Sequence, residues 1–155
     1  MSYSEDQVRA ALAKIDGLFV YKPPDDSRNW KPADFLLWWT EPAYDDHAPT
    51  LLKSGMLEVK KNYLSSLWHW LGDGPEGLRP SQRAAMSICR QLGMPYFVAV
   101  HWAKHEYWTL HRTEGWTTAP DTIMFDDAKT QYGVGCAPVN LAVTLAGVIH
   151  GEAGL

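Results

Sequence analysis

Residues 33–39 read ADFLLWW, six apolar positions around a single acid. A run this short and this continuously apolar suits a β-strand covered on both faces. Such a strand needs packed layers above and below it, which points to an α/β architecture. Asp34 is the anomaly, because burying a strand has no use for a charge at its start. A second anomaly follows in GMLEVKKN (55–62), where Glu58 and Lys60 flank Val59.

The rest of the chain arranges itself around these two strands. SEDQVRAALAKID (4–16) has helical spacing of Val8, Ala11, Leu12 and Ile15, with Ser4 as N-cap and Gly17 past the end. LFVYK (18–22) reads as a short strand, and the turn-rich PPDDSRNWKP (23–32) as a loop. YLSSLWHWLGDGPEG (63–77) reads as a helical turn followed by a Gly/Pro loop. RPSQRAAMSICRQLG (79–93) is the clearest helix, with Pro80 near its start and Gly93 at its end. PYFVAVHW (95–102) and YWTLHRTEGW (107–116) read as two strands paired across AKHE. Residues 139–149 form a closing helix, and GVG (133–135) is expected to be a turn. The order predicts a mixed central β-sheet flanked by helices, with a right-handed parallel crossover between 55 and 102. A single domain spans 1–155, with a core over about 4–116 and a C-terminal extension over 117–155.

Composition narrows the function classes. The chain has 155 residues, 46% hydrophobic and 21% charged, as in ordinary globular proteins. No stretch of 18 apolar residues occurs, so no membrane partner is expected. The start, MSYSEDQVRA, lacks the basic and apolar regions of a signal peptide. With Cys89 and Cys136 as its only cysteines the chain has no disulfide framework, so a cytoplasmic location is expected. The net charge of −4 argues against broad, nonspecific nucleic-acid binding but leaves room for a local basic groove.

Side chains alternate across a strand, so Glu58 and Lys60 share one face and Val59 the other. If the Asp34 and Glu58 strands are neighbours, their carboxylates converge. Two such groups resist joint ionisation unless a cation lies between them, and Mg²⁺ suits hard oxygen ligands. The Val59 carbonyl offers a further oxygen, and Lys60 then stands where it can orient a nucleophile or balance phosphate charge.

Asp34 followed by Glu58-Val59-Lys60 resembles the PD-(D/E)XK nuclease superfamily. The usual Pro-Asp is here Ala33-Asp34, with Pro32 one residue earlier; Glu-X-Lys is complete. The likeness extends over residues 4–102 to nucleases similar to archaeal Holliday-junction resolvases and the VRR-NUC group. It implies a restriction-endonuclease-like α-β-β-β-α-β core and a metal-dependent DNA endonuclease acting on structured or branched DNA. It also implies Mg²⁺, with Mn²⁺ as a substitute, held by Asp34, Glu58 and the Val59 carbonyl. Glu5 on the first helix is a further candidate ligand, with Asp6 its competitor. Gln82 in LRPSQR matches a glutamine that opens the helix after the Glu-X-Lys strand, and Ser27 a serine in the loop before the aspartate. A junction resolvase needs a symmetric dimer to cut two strands, which makes a homodimer possible. The family pattern departs between Lys60 and Gln82, where the segment is longer than in compact members. Its Tyr63, Trp68 and Trp70 read either as an arm stacking on unpaired bases or as a dimer contact.

Each residue also has a plainer reading. Asp34 alone could cap a strand, and Glu58 with Lys60 could be a solvated pair. Gln82 could be a solvated first-turn residue, Glu5 a helix-dipole acid and Ser27 a turn residue. Lys61, Arg79 and Arg83, with Lys53, Lys60 and Arg90, form either an ordinary solvated face or a phosphate-tracking edge. His101 and His105 lack the partners of a zinc site, and His101 is left as a phosphate contact. Cys89 reads as core, and Cys136 has no evident base. Two other functions stay open: a nuclease-like DNA-binding or assembly module that does not cut, and a protein-interaction domain anchored by exposed Trp68, Trp70 and Trp116.

Overall fold

The computed structural model describes residues 3–24, 31–40, 52–71, 77–114, 116 and 121–149. Helix α1 (Tyr3–Leu12) leads into strands β1 (Leu18–Tyr21), β2 (Phe35–Thr40) and β3 (Leu52–Asn62). Strand β4 (Leu67–His69) precedes helix α2 (Pro80–Gln91) and strand β5 (Tyr96–Trp102). A 3₁₀ turn (Ala103–His105) joins β5 to β6 (Tyr107–Arg112). Strand β7 (Thr122–Met124), helix α3 (Phe125–Tyr132), strand β8 (Gly133–Gly135) and helix α4 (Pro138–Ile149) follow. Among the described residues, no helix is long and apolar enough to cross a membrane.

The architecture is α/β, with a mixed central sheet in the order β1-β2-β3-β5-β6-β8. Among the described strands, β3 and β5 alone run parallel, as expected of two strands linked by a helix. Two apolar layers cover the sheet. On one face Val8 and Leu12 of α1 and Leu141 and Leu145 of α4 meet Leu37, Trp39, Leu57, Val59 and Phe97. On the other, Ala85, Met86 and Cys89 of α2 meet Tyr96, Val98 and Val100. Strand β5 is therefore buried on both sides. Strand β2 is not. Phe35, Leu37 and Trp39 are buried, whereas Leu36 and Trp38 are only half-covered, because β2 lies one strand from the sheet edge.

The region between Lys60 and Gln82 departs from expectation. No helical turn follows β3; instead Leu67–His69 forms β4, which pairs antiparallel with β7 as a separate two-stranded ribbon. That ribbon carries Trp68 and Trp70 into the second core layer beside Trp102, Trp116 and Phe125. Trp68, Trp70 and Trp116 are all buried, so they are neither a base-stacking arm nor exposed anchors for a partner. Stacking needs an accessible ring face, and here protein rings take that place: Trp70 and Trp68 lie 5.0 and 5.9 Å from Trp116.

Residues 121–149 belong to the same layers. Phe125 and Ala128 of α3 enter one core, and α4 enters the other. GVG is a strand rather than a turn, with Gly133 and Gly135 pairing with Thr109 and Trp108 of β6. Glycine is required at 133 because a Cβ there would run into the Lys129 carbonyl. The second layer also encloses a polar chain. Trp102 Nε1–H donates to Thr109 Oγ1 at 2.9 Å, and that hydroxyl shares a second hydrogen bond with His111 Nε2 at 2.8 Å. His111 is completely buried, 4.7 Å from Tyr132 and 5.7 Å from Trp116 between ring centroids. Its Nδ1 is without a hydrogen-bond partner among the described residues. Burial depresses the imidazole pKa to about 3.

Candidate active site

The register of β2 on β3 pairs Phe35 with Leu57, so Asp34 stands opposite Glu58 just beyond the end of the ladder. Side-chain bonds take over from the backbone there. The Asp34 N–H donates to Glu58 Oε2 at 2.9 Å, and the Val59 N–H donates to Asp34 Oδ2 at 2.8 Å. Each carboxylate is thus fixed through one oxygen by a main-chain donor. The remaining oxygens, Asp34 Oδ1 and Glu58 Oε1, meet cations. Lys31 Nζ lies 3.2 Å from Oδ1, and Lys60 Nζ lies 3.3 Å from Oε1.

Helix α2 closes the site from the second core layer. Gln82 in its first turn donates from Nε2 to Glu58 Oε1 at 2.7 Å. The same amide accepts the Arg79 N–H through Oε1 at 2.8 Å, satisfying a helix-start donor that would otherwise lack a partner. Gln82 therefore has no freedom to rotate without losing one of two bonds, and it is fully buried. Strand alternation places Lys60 on the Glu58 side, and both are buried, as is Asp34.

Four ionisable groups in one buried cluster is costly unless their charges compensate. Two ammoniums against two carboxylates supply that compensation only in part. The Glu58 pKa is pushed up to about 8, first by burial and next by the Asp34 charge, with Lys60 working against both. Tyr96 is held in its neutral, donating form by burial and by the Glu58 and Asp34 charges. Its hydroxyl donates to the Pro32 carbonyl at 2.7 Å, tying the segment before Asp34 to β5.

The sequence-predicted residues separate into groups. Asp34, Glu58, Lys60 and Gln82 come together, and Val59 joins them through its N–H. N–H and C=O of one strand residue face the same neighbouring strand, so the Val59 carbonyl lies toward the Asp34 side. Glu5 pairs with Lys22 at 3.1 Å. Among the described residues, no group of three or more His, Cys, Asp or Glu side chains gathers where one metal ion could be held. Ser27 lies outside the described residues. Lys61 points to the opposite sheet face from Lys60 and sits 5.3 Å over the Tyr63 ring. Arg79 is exposed at the start of α2, and Arg83 donates to the Leu78 carbonyl at 3.1 Å. His101 is half-buried, stacked on Trp108 at 4.6 Å and 3.3 Å from Ser4 Oγ.

Two site residues escaped the sequence reading. Lys31 had a signal in its i, i+3 spacing to Asp34, but a lysine in a turn-rich segment looks solvated. Tyr96 looked like one more β-former of β5. No protein-family model and no curated protein matches this chain.

Proposed function

We propose that this protein is a divalent-metal-dependent DNA endonuclease of the PD-(D/E)XK type. The observation that carries the proposal is the convergence of Asp34, Glu58, Lys60 and Gln82 where β2 leaves β3, with one oxygen of each carboxylate facing cations. The element order α1-β1-β2-β3-α2-β5, set aside from the β4 ribbon, agrees with the α-β-β-β-α-β core of that superfamily. A merely structural role would not favour two carboxylates buried against each other.

The donor set fits Mg²⁺, which is commonly bound by one or two carboxylates and keeps several waters. Asp34 Oδ1, Glu58 Oε1 and the Val59 carbonyl are the oxygens that would hold it. When bound, the ion supplies Lewis-acid charge to a phosphodiester and lowers the pKa of a coordinated water. The chain's own groups do the rest. Lys60 places a positive charge beside the developing phosphorane-like oxygens. Gln82 fixes Glu58, so that the carboxylate does not reorganise as the reaction proceeds. Asp34, clamped by the Val59 N–H, holds the second ligand position. Structured or branched DNA as substrate, and a dimer that cuts two strands, rest on the resemblance alone. Arg79, exposed at the start of α2, is a further basic residue that offers a phosphate contact.

The non-cutting alternative differs in one outcome. Labelled plasmid and four-way-junction DNA are incubated with wild type, Glu58→Ala and Lys60→Ala in Mg²⁺, Mn²⁺ or EDTA. Metal-dependent cutting by wild type alone supports the nuclease, and the junction-to-plasmid ratio reads the substrate class. Folded wild type that binds DNA but cuts neither substrate in either metal favours the binding module.

A further inference from the structure

The nuclease reading leaves Lys31 without a role, yet Lys31 is built into the site. Its carbonyl accepts the Ser81 hydroxyl of α2 at 3.4 Å, and the next carbonyl, that of Pro32, accepts the Tyr96 hydroxyl of β5 at 2.7 Å. Two elements on the Glu58 side of the sheet thus pin the backbone that aims Lys31 at Asp34. The ammonium lies 3.2 Å from Asp34 Oδ1, with the Lys31 side chain 14% and the Asp34 side chain 5% exposed. This is the carboxylate oxygen not engaged by Val59, and so the one a metal ion would take.

Resting on that reading, we propose that Lys31 is a displaceable counter-cation: it occupies the cation place on Asp34 in the metal-free protein and moves to the substrate phosphate when a divalent ion binds. Charge balance supports both halves. Without metal, Asp34 Oδ1 faces the Lys31 ammonium and Glu58 Oε1 faces the Lys60 ammonium. A divalent ion then leaves the cluster net positive by two charges, which matches the doubly negative phosphorane-like transition state only if Lys31 stays nearby. A lysine suits exchange better than an arginine, because its single-point charge on a flexible stem gives up one contact for another without losing a bidentate lock. Lys31 is therefore a positioning residue that competes with metal and later serves substrate.

The test titrates Mn²⁺ into the full chain by calorimetry, comparing wild type, Lys31→Met, Lys31→Gln and Lys31→Arg, with Glu58→Gln as the control that should lose the site. Removing the competing charge is expected to tighten Mn²⁺ binding about tenfold in Lys31→Met. Lys31→Gln, which can still donate to Asp34, should tighten it similarly, and Lys31→Arg should stay near wild type. With Ca²⁺ holding DNA uncut, loss of one phosphate contact should lower the salt slope of DNA binding by about one in Lys31→Met and Lys31→Gln. Unchanged or weaker Mn²⁺ affinity in whichever neutral variant melts like wild type overturns the proposal and leaves Lys31 a fixed counter-ion. An unaltered salt slope overturns its second half. If wild type itself takes up no Mn²⁺, the nuclease reading fails and this inference falls with it; if wild type binds and Glu58→Gln does not, only the role of Lys31 is at stake.

Discussion

The α2-side layer of the sheet encloses two polar regions that solve burial in opposite ways. Around His111 the groups are neutral: an indole, a hydroxyl and an imidazole form a chain among aromatic rings. Around Glu58 the groups are ionisable, and two carboxyl groups face two ammoniums. Both regions shift pKa values strongly, one down to about 3 and one up to about 8. Perturbed titration alone therefore does not mark a reactive site. What separates them is convergence: His111 is disturbed by burial alone, whereas Glu58 is disturbed by burial and by a like charge that a cation would relieve.

The largest expected effect tests the closed region. The folded protein holds neutral His111, with a pKa below the ordinary 6.5, while the unfolded chain takes up a proton. Its contribution is complete above pH 6.5 and is lost as pH falls toward 3, a loss of about 4 kcal/mol by linkage. Urea melts against pH should show this acid limb, and His111→Leu should flatten it. Glu58 has the opposite sign. Its folded pKa is raised from 4.5 to about 8, so its contribution is complete below 4.5 and is lost as pH rises toward 8. In EDTA, Glu58→Gln should flatten that alkaline limb and leave the acid limb alone.

Next in size is Asp34→Ala, which strands the Val59 N–H and removes the ion pair with Lys31. Chemical denaturation should show a loss of about 3 kcal/mol. Gln82→Ala removes two hydrogen bonds but no charge, and should cost about 1–2 kcal/mol while slowing cleavage. The smallest effect on stability belongs to Glu58→Gln at pH 6, within about 1 kcal/mol, because the amide replaces an acid that is already protonated. The same substitution should abolish cutting. A stability loss for Glu58→Gln as large as for Asp34→Ala would erase the distinction between the two regions.

Much of this was legible in the sequence because the long elements carry their own periodicity. The apolar spacing of α2, the β-formers of β5 and the Glu-X-Lys of β3 needed no tertiary information. Strands β4, β7 and β8 have three residues each and exist only through their pairing, so nothing local announces them. That failure carried Trp68 and Trp70 with it: a tryptophan-rich stretch beside a Gly/Pro run looks exposed until β7 lies across it. Within the site, strand alternation was enough to bring Glu58 to Lys60, whereas Gln82 came only through the family resemblance, since a first-turn glutamine by itself reads as solvated. Tyr96 depends on where a turn-rich segment folds back, which spacing does not encode, and the i, i+3 spacing of Lys31 to Asp34 says nothing of burial.

The most direct measurement is a carbon-detected NMR titration of the Glu58 side chain in ¹³C-glutamate protein, with and without Mg²⁺, assigned through Glu58→Gln. A carboxyl that titrates near pH 8 in EDTA and becomes ionised well below pH 7 with Mg²⁺ would show that the buried pair binds a cation. A carboxyl that titrates in the ordinary glutamate range and ignores Mg²⁺ would contradict the account, reducing the cluster to a static set of ion pairs.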